Sequence, residues 1–329
     1  MKIRISGTGS YLPEKVLDNE ELSIMVDTSD EWIISRTGIS ERRISVDEET
    51  WEMGLIAANN ALENANVRAD EIDIIIGTTI TPDYYFPSMA CIIQGKIGAV
   101  NAFAFDISAA CSGFVFAFDT AVSFIESKRA KKVLIVSSET NSKITDYSDR
   151  STCVLFGDGA GAIIVEQCKE DGVLGIFSKS EGEGAHYLVS RALKNETCFS
   201  SNCPDFVKGL NEHYLYMQGK DVYRFAIRAM PKAIEEVLKI ANIPAHEITF
   251  FLPHQANKRI IDSACERYGF DKEKTIINLD KYGNTSSATI PIMLDELNRQ
   301  GSFKKGDILM FSGFGAGLSY GAGIIKWLI

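Results

Sequence analysis

An internal repeat constrains the fold of this chain more than any other feature of its sequence. The segment Leu62–Ile72 recurs as Leu238–Ile248 with identical spacing of its shared residues, and an apolar strand pattern follows each copy. Later segments repeat at nearly the same offset, and self-similarity of this kind indicates duplicated architecture. We therefore predict two copies of one mixed α/β unit, residues 1–170 and 171–329, with a site where loops of both halves meet.

Apolar strand patterns alternate with helical patterns along the first half. An amphipathic helix is predicted over residues 50–64, and strands are predicted over 72–79, 132–138 and 160–166. These strands are apolar on both faces, which is typical of a sheet covered by helices on both sides. The pattern predicts largely parallel sheet.

Residues 178–217 have no counterpart in the first half. The stretch is rich in Gly, Ser and Asn, and we predict an inserted long loop with short secondary structure. Cys198 and Cys203 lie in it without two further ligands close by, so no metal site is expected there.

Composition excludes several classes of function. The net charge of −10 argues against general nucleic-acid binding, and no apolar run approaches membrane-spanning length. The chain starts directly in a strand pattern without a signal-peptide core. The seven cysteines are an odd number without a regular framework, so we expect reduced thiols and a cytoplasmic protein.

Cys111 lies between a predicted buried strand ending near residue 107 and a helix that is apolar all round. A thiol at a helix N-terminus can lose its proton near neutral pH, and the thiolate is a nucleophile. The alternative is a small buried core cysteine. This stretch alone does not separate the two interpretations.

Three further stretches offer polar groups at loop positions. His254 follows an apolar strand, Asn284 precedes a helix start, and the segment 313–318 is a glycine-rich turn. The structural alternatives are a core histidine, a helix N-cap and a turn that needs positive φ. The functional alternatives are side chains aimed into one pocket and a turn that presents backbone N–H groups as an oxyanion hole.

Together these motifs resemble the condensing enzymes of the thiolase superfamily, and most closely the β-ketoacyl-acyl-carrier-protein synthase III family. The resemblance spans the chain in the family's order. It is carried by Thr28–Ile33 with Arg36–Ile39, Ala109–Phe114, Phe156–Ala162, Pro253–Asn257, Gly283–Ser286 and Gly315–Leu318. It implies an α/β thiolase-like fold, in which two duplicated halves pack as layers α-β-α-β-α.

The resemblance also implies a reaction. Cys111 would take an acyl group from acyl-CoA as a thioester, and malonyl-acyl-carrier protein would lose carbon dioxide and attack it. The backbone N–H groups of Cys111 and Ala316 would form the oxyanion hole, while His254 and Asn284 would donate hydrogen bonds to the enolate. Because carbon dioxide leaves, no base is needed for the carbanion, and neither a metal nor a permanently bound cofactor is expected.

Coenzyme A would be held by residues from several segments. By resemblance, Trp32 and Arg150 stack on either side of the adenine ring, which suits both side chains. The residues expected to line the cofactor tunnel are Thr28, Arg36, Gly219 and Asn257.

A basic stripe indicates a site for an acidic partner. Lys220, Arg224, Arg228 and Lys232 recur every four residues along a predicted helix. Such a stripe is either a solvated face or, given the acidic carrier proteins of this pathway, a docking surface that steers them electrostatically. We predict that carrier binding also involves the loop residues Gln255, Ala256, Asn257, Lys258 and Arg259.

The family resemblance further implies a homodimer. Phe86 matches a residue that reaches into the partner's acyl pocket, and the strand over residues 99–107 would pair across the two-fold axis.

Two other functions compete with the synthase. One is a related condensing or acyl-transfer enzyme of secondary metabolism with a different donor or acceptor, and the other is a scaffold that binds CoA without chemistry. The presence of Cys111, His254 and Asn284 argues against the scaffold. The length of the 178–217 stretch leaves the preferred acyl chain open.

Overall fold

The computed structural model describes residues 1–192 and 214–329, in which strands and helices alternate through both halves. The strands are β1 (Ile3–Tyr11), β2 (Lys15–Asp18), β3 (Glu41–Ile44), β4 (Ile74–Thr78), β5 (Phe103–Ile107), β6 (Lys132–Glu139), β7 (Gly159–Gln167), β8 (Val173–Ser180), β9 (Leu188–Val189), β10 (Tyr216–Met217), β11 (Phe250–Pro253), β12 (Ile308–Gly315) and β13 (Ser319–Lys326). The helices are α1 (Asn19–Met25), α2 (Asp30–Thr37), α3 (Thr50–Ala65), α4 (Met89–Ile97), α5 (Gly113–Glu126), α6 (Arg150–Cys153), α7 (Gly219–Ala241), α8 (Lys258–Tyr268), α9 (Leu279–Tyr282) and α10 (Thr289–Arg299).

Four strands of the first sheet correspond in order to the four strands of the second sheet, and the first sheet has β5 as a fifth strand. The first runs β1-β7-β6-β4-β5 and the second runs β8-β13-β12-β11. β4 pairs in parallel with β5 and β6, whereas β7 pairs antiparallel with β6 and β1. The prediction of largely parallel sheet is therefore wrong, and both sheets are mixed.

The sheets and helices form five layers around three apolar clusters. α5 and α10 lie between the sheets, where Phe114 and Phe118 of α5 pack edge-to-face on Phe311 of β12. α3 and α4 cover the outer face of the first sheet, and α7 and α8 cover the outer face of the second. Because alternate residues of a strand point to opposite faces, a strand that lies between two helical layers needs apolar side chains on both faces. This arrangement is the predicted α-β-α-β-α fold.

The repeat extends to backbone conformation. α3 and α7 both end on an asparagine with left-handed φ, Asn66 at 52° and Asn242 at 53°. Ala110 and Ser286, related by the same offset, also have positive φ, at 46° and 53°. We propose the segment between β7 and β8, which includes residues 170 and 171, as the boundary between the halves.

A smaller cluster lies beside the first sheet. It joins residues of β2, α1, α2, α6 and α9 and includes the buried side chains of Leu22, Ile33 and Leu279. Arg42 of β3 is buried here and donates hydrogen bonds to Leu17 O, Asn19 Oδ1 and Val154 O. Trp32, on α2, packs against this cluster. Arg150 is the first residue of α6, which also contributes to the cluster.

The predicted insertion is described only at its two ends. A 3₁₀ turn over Gly182–Tyr187 leads into β9, which pairs with β10. Cys198 and Cys203, for which no metal site was expected, lie outside the described residues. None of the helices that the structure describes combines the length and the apolar character needed to cross a bilayer.

Candidate active site

Cys111 lies in a 3₁₀ turn, Ala110–Ser112, between the end of β5 and the start of α5. Only 7% of the residue is exposed. Burial raises the pKa of the Cys111 thiol to about 12, and the nearby carboxylate of Glu139 raises it further. Burial therefore opposes the acidification that a helix N-terminus could cause, because a buried thiolate loses its hydration.

The glycine-rich end of β12 packs against the backbone of Cys111. A Cβ atom at Gly315 would lie 2.7 Å from Cys111 N and 3.0 Å from Cys111 Cβ. Only glycine permits this approach, which places the following residue, Ala316, beside the turn of the nucleophile. The two turns are also tied together, since Ser319 Oγ donates to Ala316 O at 2.9 Å and lies 2.7 Å from Ser112 Oγ.

His254 follows β11 directly, and its backbone N–H donates to Ser312 O at 2.7 Å. The residue is 1% exposed, and its ring packs edge-on to Phe314 with centroids 5.4 Å apart. Both ring nitrogens are buried without a hydrogen-bond partner among the described residues. Burial lowers the pKa of His254 to about 3, so the imidazole is neutral and has one N–H donor available.

Backbone hydrogen bonds attach Asn284 to residues of the first half of the chain. Its N–H donates to Leu155 O at 2.9 Å, and its carbonyl accepts from Gly157 N at 3.1 Å. Its side-chain oxygen accepts from Ser286 N at 2.8 Å, and its side chain lies near enough to the Cys111 thiol to lower the pKa of that thiol, which partly offsets the effect of burial. The structure thus brings Cys111 and Asn284 together, with His254 at the other side of the end of β12.

Trp32 and Arg150 stack directly on each other. The guanidinium carbon of Arg150 lies 4.9 Å from the centre of the Trp32 ring, and Arg150 Nη1 donates to Asp27 O at 2.7 Å. An adenine ring would have to enter between the two planar groups.

Two of the other predicted CoA residues, Arg36 and Asn257, meet near the C-terminal end of α2. Asn257 Nδ2 donates to Arg36 O at 3.0 Å, which ties the His254 loop to α2. Thr28 Oγ1 is buried without a partner in the described part of the chain, so it is available to a ligand. Gly219 begins α7, and its place in the tunnel stays a prediction.

Gln255 does not face a protein partner, contrary to prediction. It is fully buried, and its side-chain amide donates to Pro253 O and Ile276 O. Its side-chain oxygen accepts from the N–H groups of Asn278 and Leu279. Gln255 therefore holds the His254 loop against the segment that leads to Asn284. Ala256 beside it is half-buried.

All four residues of the basic stripe on α7 are exposed, and three of them pair with acids. Arg228 bonds Glu181 at 2.6 Å, Lys232 bonds Glu236 at 2.6 Å, and Arg224 bonds Asp221 at 3.2 Å. The acids on α7 could have been found by their spacing of three and four residues from the bases, whereas Glu181 is remote in sequence. Exposed pairs of this kind are worth only about 0–1 kcal/mol, so a stronger partner can replace them.

Lys258 and Arg259 are exposed at the start of α8, directly after the His254 loop in the chain. Lys258 pairs with Asp262 at 3.0 Å, and Arg259 donates to Ser35 O at 2.9 Å. Phe86, which the resemblance assigns to a dimer contact, is 87% exposed.

Sequence reasoning missed the polar groups behind the thiol. Glu139, at the end of β6, accepts hydrogen bonds from Ser286 and Ser287. Both serines are in or next to a motif that the sequence analysis identified, but no local pattern connects them with a carboxylate so far away in the sequence.

Comparisons with known proteins agree over the whole length of the chain. A family model described as 3-oxoacyl-[acyl-carrier-protein (ACP)] synthase III matches residues 105–182, and the model of its C-terminal part matches residues 238–327. The β-ketoacyl-[acyl-carrier-protein] synthase III of Clostridium acetobutylicum is 46% identical over 325 residues, which cover 99% of this chain and 98% of the relative.

Solved structures show the same likeness. The crystal structure of 3-oxoacyl-[acyl-carrier-protein] synthase III from Aquifex aeolicus matches with a TM-score of 0.90 and 43% identity, over 99% of this chain and 100% of that chain. The priming β-ketosynthase of the R1128 polyketide pathway matches with a TM-score of 0.91 and 36% identity, over 99% of this chain and 96% of that chain.

Proposed function

Since the chain belongs to the 3-oxoacyl-[acyl-carrier-protein] synthase III family, we propose that Cys111, His254 and Asn284 divide its two half-reactions between them. The chain is a condensing acyltransferase of fatty-acid synthesis, which joins an acyl-CoA primer to malonyl-acyl-carrier protein through a cysteine thioester. The observation that carries the division of roles is the place of the Asn284 side chain near the Cys111 thiol, together with a buried His254 whose two ring nitrogens have no hydrogen-bond partner among the described residues.

The first half-reaction acylates Cys111. The sulfur attacks the thioester carbonyl of acyl-CoA, and its proton leaves with the sulfur of coenzyme A. Negative charge develops on the carbonyl oxygen, where the N–H groups of Cys111 and Ala316 stabilise it. The close packing of Gly315 on Cys111 supports this pairing of donors, and one such donor lowers a barrier by about 3 kcal/mol.

The second half-reaction releases carbon dioxide from the malonyl group. The electrons of the broken bond form an enolate, whose oxygen accepts hydrogen bonds from His254 and Asn284. Support comes from the uncharged state of His254, which leaves an N–H donor without adding a charge. The enolate carbon then attacks the Cys111 thioester, and the thiolate leaves and is protonated.

The two proposed substrates are also the binding partners of the enzyme. Acyl-CoA would enter past Trp32 and Arg150, whose contact would open to admit adenine. Malonyl-carrier protein would dock on Lys258, Arg259 and the basic stripe of α7, where exposed cations lie beside the loop that bears His254. The reaction as proposed uses neither a metal nor a resident cofactor, and its dependence on acyl-CoA and malonyl-carrier protein supports a cytoplasmic enzyme.

We also propose a homodimer that buries the open edge of the first sheet. β5 is the last strand of that sheet, and Phe103 on it is 46% exposed. Tyr85 and Phe86 project nearby on the loop before α4 and are also exposed. An edge strand with exposed aromatic side chains is normally covered in the assembled protein.

The related polyketide function has weaker support. The polyketide-priming structure is 36% identical, whereas curated relatives named β-ketoacyl-[acyl-carrier-protein] synthase III reach 45–46% identity over 99% of this chain. Dependence on malonyl-carrier protein separates the two candidate functions.

Two alanine variants test the division of roles. His254→Ala and Asn284→Ala should still gain one acyl group from acyl-CoA, measured as intact mass, but should form no 3-ketoacyl product from malonyl-carrier protein. Asn298→Ala, which removes an amide far from the thiol, is the matched control. Normal condensation by either active-site variant would contradict the assigned roles.

A further inference from the structure

Arg42 is a charged side chain that the proposed mechanism does not use. It lies on β3 and is fully buried. Burial lowers the pKa of Arg42 to about 10, so the guanidinium stays positive at neutral pH. Its three hydrogen-bond acceptors in the described part of the chain are uncharged oxygens. Burying a charge with such partners costs free energy, but it fixes the relative positions of three chain segments.

One nitrogen of the guanidinium is connected to α2 through Asn19. Arg42 Nη1 donates to Asn19 Oδ1 at 2.9 Å. The amide nitrogen of Asn19 donates in turn to Asp30 Oδ1 at 2.9 Å and to Ile39 O at 2.8 Å. Asp30 begins α2, and Ile39 directly follows the C-cap of this helix. The network therefore holds both ends of the helix that carries Trp32.

The other nitrogen is connected to α6. Arg42 Nη2 donates to Val154 O at 2.9 Å, and Val154 is the C-cap of α6. Arg150 begins this helix and stacks on Trp32. Because a guanidinium is planar and rigid, its two nitrogens bind their acceptors in a fixed relation. One buried side chain thus links the two helices that carry the stacked pair.

We propose that Arg42 is a positioning residue for coenzyme A, which holds α2 and α6 so that Trp32 and Arg150 face each other across the adenine site. Arg42 is buried and acts through these two residues. With both helices held, the stacked pair opens by rotation of the Arg150 side chain, which is 47% exposed. A binding site whose backbone is already ordered loses less entropy when the ligand binds. The inference rests on the proposed binding of coenzyme A at this pair.

The stem of Arg42 also packs beside the segments that hold Asn284. A Cβ atom at Gly157 would lie 3.1 Å from Arg42 Cβ, and one at Gly283 would lie 3.3 Å from it. In the proposed mechanism Asn284 acts in condensation and not in the acylation of Cys111. Measurements of coenzyme A binding and of acylation therefore separate an effect on the stacked pair from an effect on Asn284.

Arg42→Lys tests the proposal with the positive charge and the Cβ contact retained. Lysine has a single nitrogen, which cannot replace the two nitrogens of the guanidinium. Isothermal titration calorimetry should show coenzyme A bound about tenfold more weakly than by the wild type. Acylation of Cys111 by acetyl-pantetheine, which lacks the adenine, should proceed at the wild-type rate, as measured by intact mass.

Asn19→Asp breaks the same network at a different point. The carboxylate still accepts from Arg42, now as an ion pair, but it has no N–H for Asp30 or Ile39. This variant keeps the buried guanidinium partnered, and it too should bind coenzyme A about tenfold more weakly and react normally with acetyl-pantetheine. Wild-type affinity for coenzyme A in both variants would overturn the proposal, as would an equal loss of reaction with acetyl-pantetheine.

Asp295→Asn is the matched control for general loosening of the fold. Asp295 is also fully buried, and it accepts hydrogen bonds from Thr8 and Ser10. Its variant should bind coenzyme A as the wild type does, and a loss as large as that of Arg42→Lys would contradict a specific role. Calorimetry does not require acyl transfer. A failure of the proposed function would instead appear as wild-type protein that binds coenzyme A but gains no acyl group from acetyl-CoA.

Discussion

The backbone N–H of Ser286 donates to the side-chain oxygen of Asn284 at 2.8 Å. This bond determines which end of the amide faces the thiol, because the oxygen is already occupied by a donor. The Asn284 amide nitrogen therefore points into the site, where it can donate to an enolate but cannot accept a proton.

Asn284→Asp tests that orientation at nearly constant volume. One carboxylate oxygen can still accept from Ser286, but the other replaces the donor and repels the enolate. We expect condensation to fall by about 10²–10³-fold or more, which is the loss typical of one oxyanion donor. Acylation of Cys111 should persist, as measured by intact mass.

Asn298→Asp controls for the general effect of a new carboxylate, since Asn298 donates to Thr8 and Asn64 well away from the thiol. The Asn298→Asp variant should catalyse condensation at the wild-type rate. Equal loss of activity in the two variants would contradict the donor role of Asn284.

The burial of His254 predicts a pH dependence of stability. Its pKa is about 3 in the folded protein and about 6.5 in an unfolded chain. The unfolded state therefore binds more protons between these values, so this residue makes the fold less stable as the pH falls below about 6.5, by up to about 1.4 kcal/mol per pH unit.

Urea unfolding of wild type and His254→Gln at several pH values measures this contribution as a difference. Asp158 acts in the opposite direction, because burial raises its pKa to about 6, but it is present in both proteins and cancels. The stability of wild type should fall more steeply on acidification than that of the variant. Parallel curves would show that His254 titrates normally.

Gln255→Leu separates a structural role from carrier binding. The substitution removes four hydrogen bonds and leaves the N–H groups of Asn278 and Leu279 buried without their acceptor. We expect a loss of about 3 kcal/mol in the free energy of unfolding, measured with urea. The KM for malonyl-carrier protein should be unchanged in the folded enzyme. A raised KM with normal stability would instead restore the predicted contact.

Arg259→Glu tests the docking surface. Reversing an exposed charge beside the His254 loop should raise the KM for malonyl-carrier protein about tenfold, or roughly 1.4 kcal/mol, with little change in kcat. The matched control is Lys239→Glu near the C-terminal end of α7, which reverses another exposed positive charge. Equal effects of the two reversals would indicate general repulsion and would contradict docking at Arg259.

The fold was largely predictable because its duplication is visible in the sequence. The matching segments predict α3 and α7, and even the left-handed φ of Asn66 recurs at Asn242. Strand direction was mispredicted, although a signal existed. Three residues separate β12 from β13, which is too short for a parallel crossover, and the repeat extends that antiparallel pairing to β6 and β7.

The sequence motifs single out the candidate site residues, whose roles stay predictions, but they do not reveal the electrostatics of the site. Motifs identified Cys111, His254 and Asn284, whereas the protonation of the thiol depends on how deeply its turn is buried and on Glu139, which is remote in sequence. The burial of Gln255 was missed for the same reason. Its four bonds join segments that only the tertiary fold brings together.

The most direct test of the account is the intact mass of the protein after incubation with a panel of acyl-CoAs, beside Cys111→Ser. We predict that the wild type gains the mass of one acyl group and that the variant gains none, with the extent of labelling ranking the primers. A wild type that gains no acyl group from any acyl-CoA, or a variant that is labelled equally, would contradict Cys111 as the nucleophile.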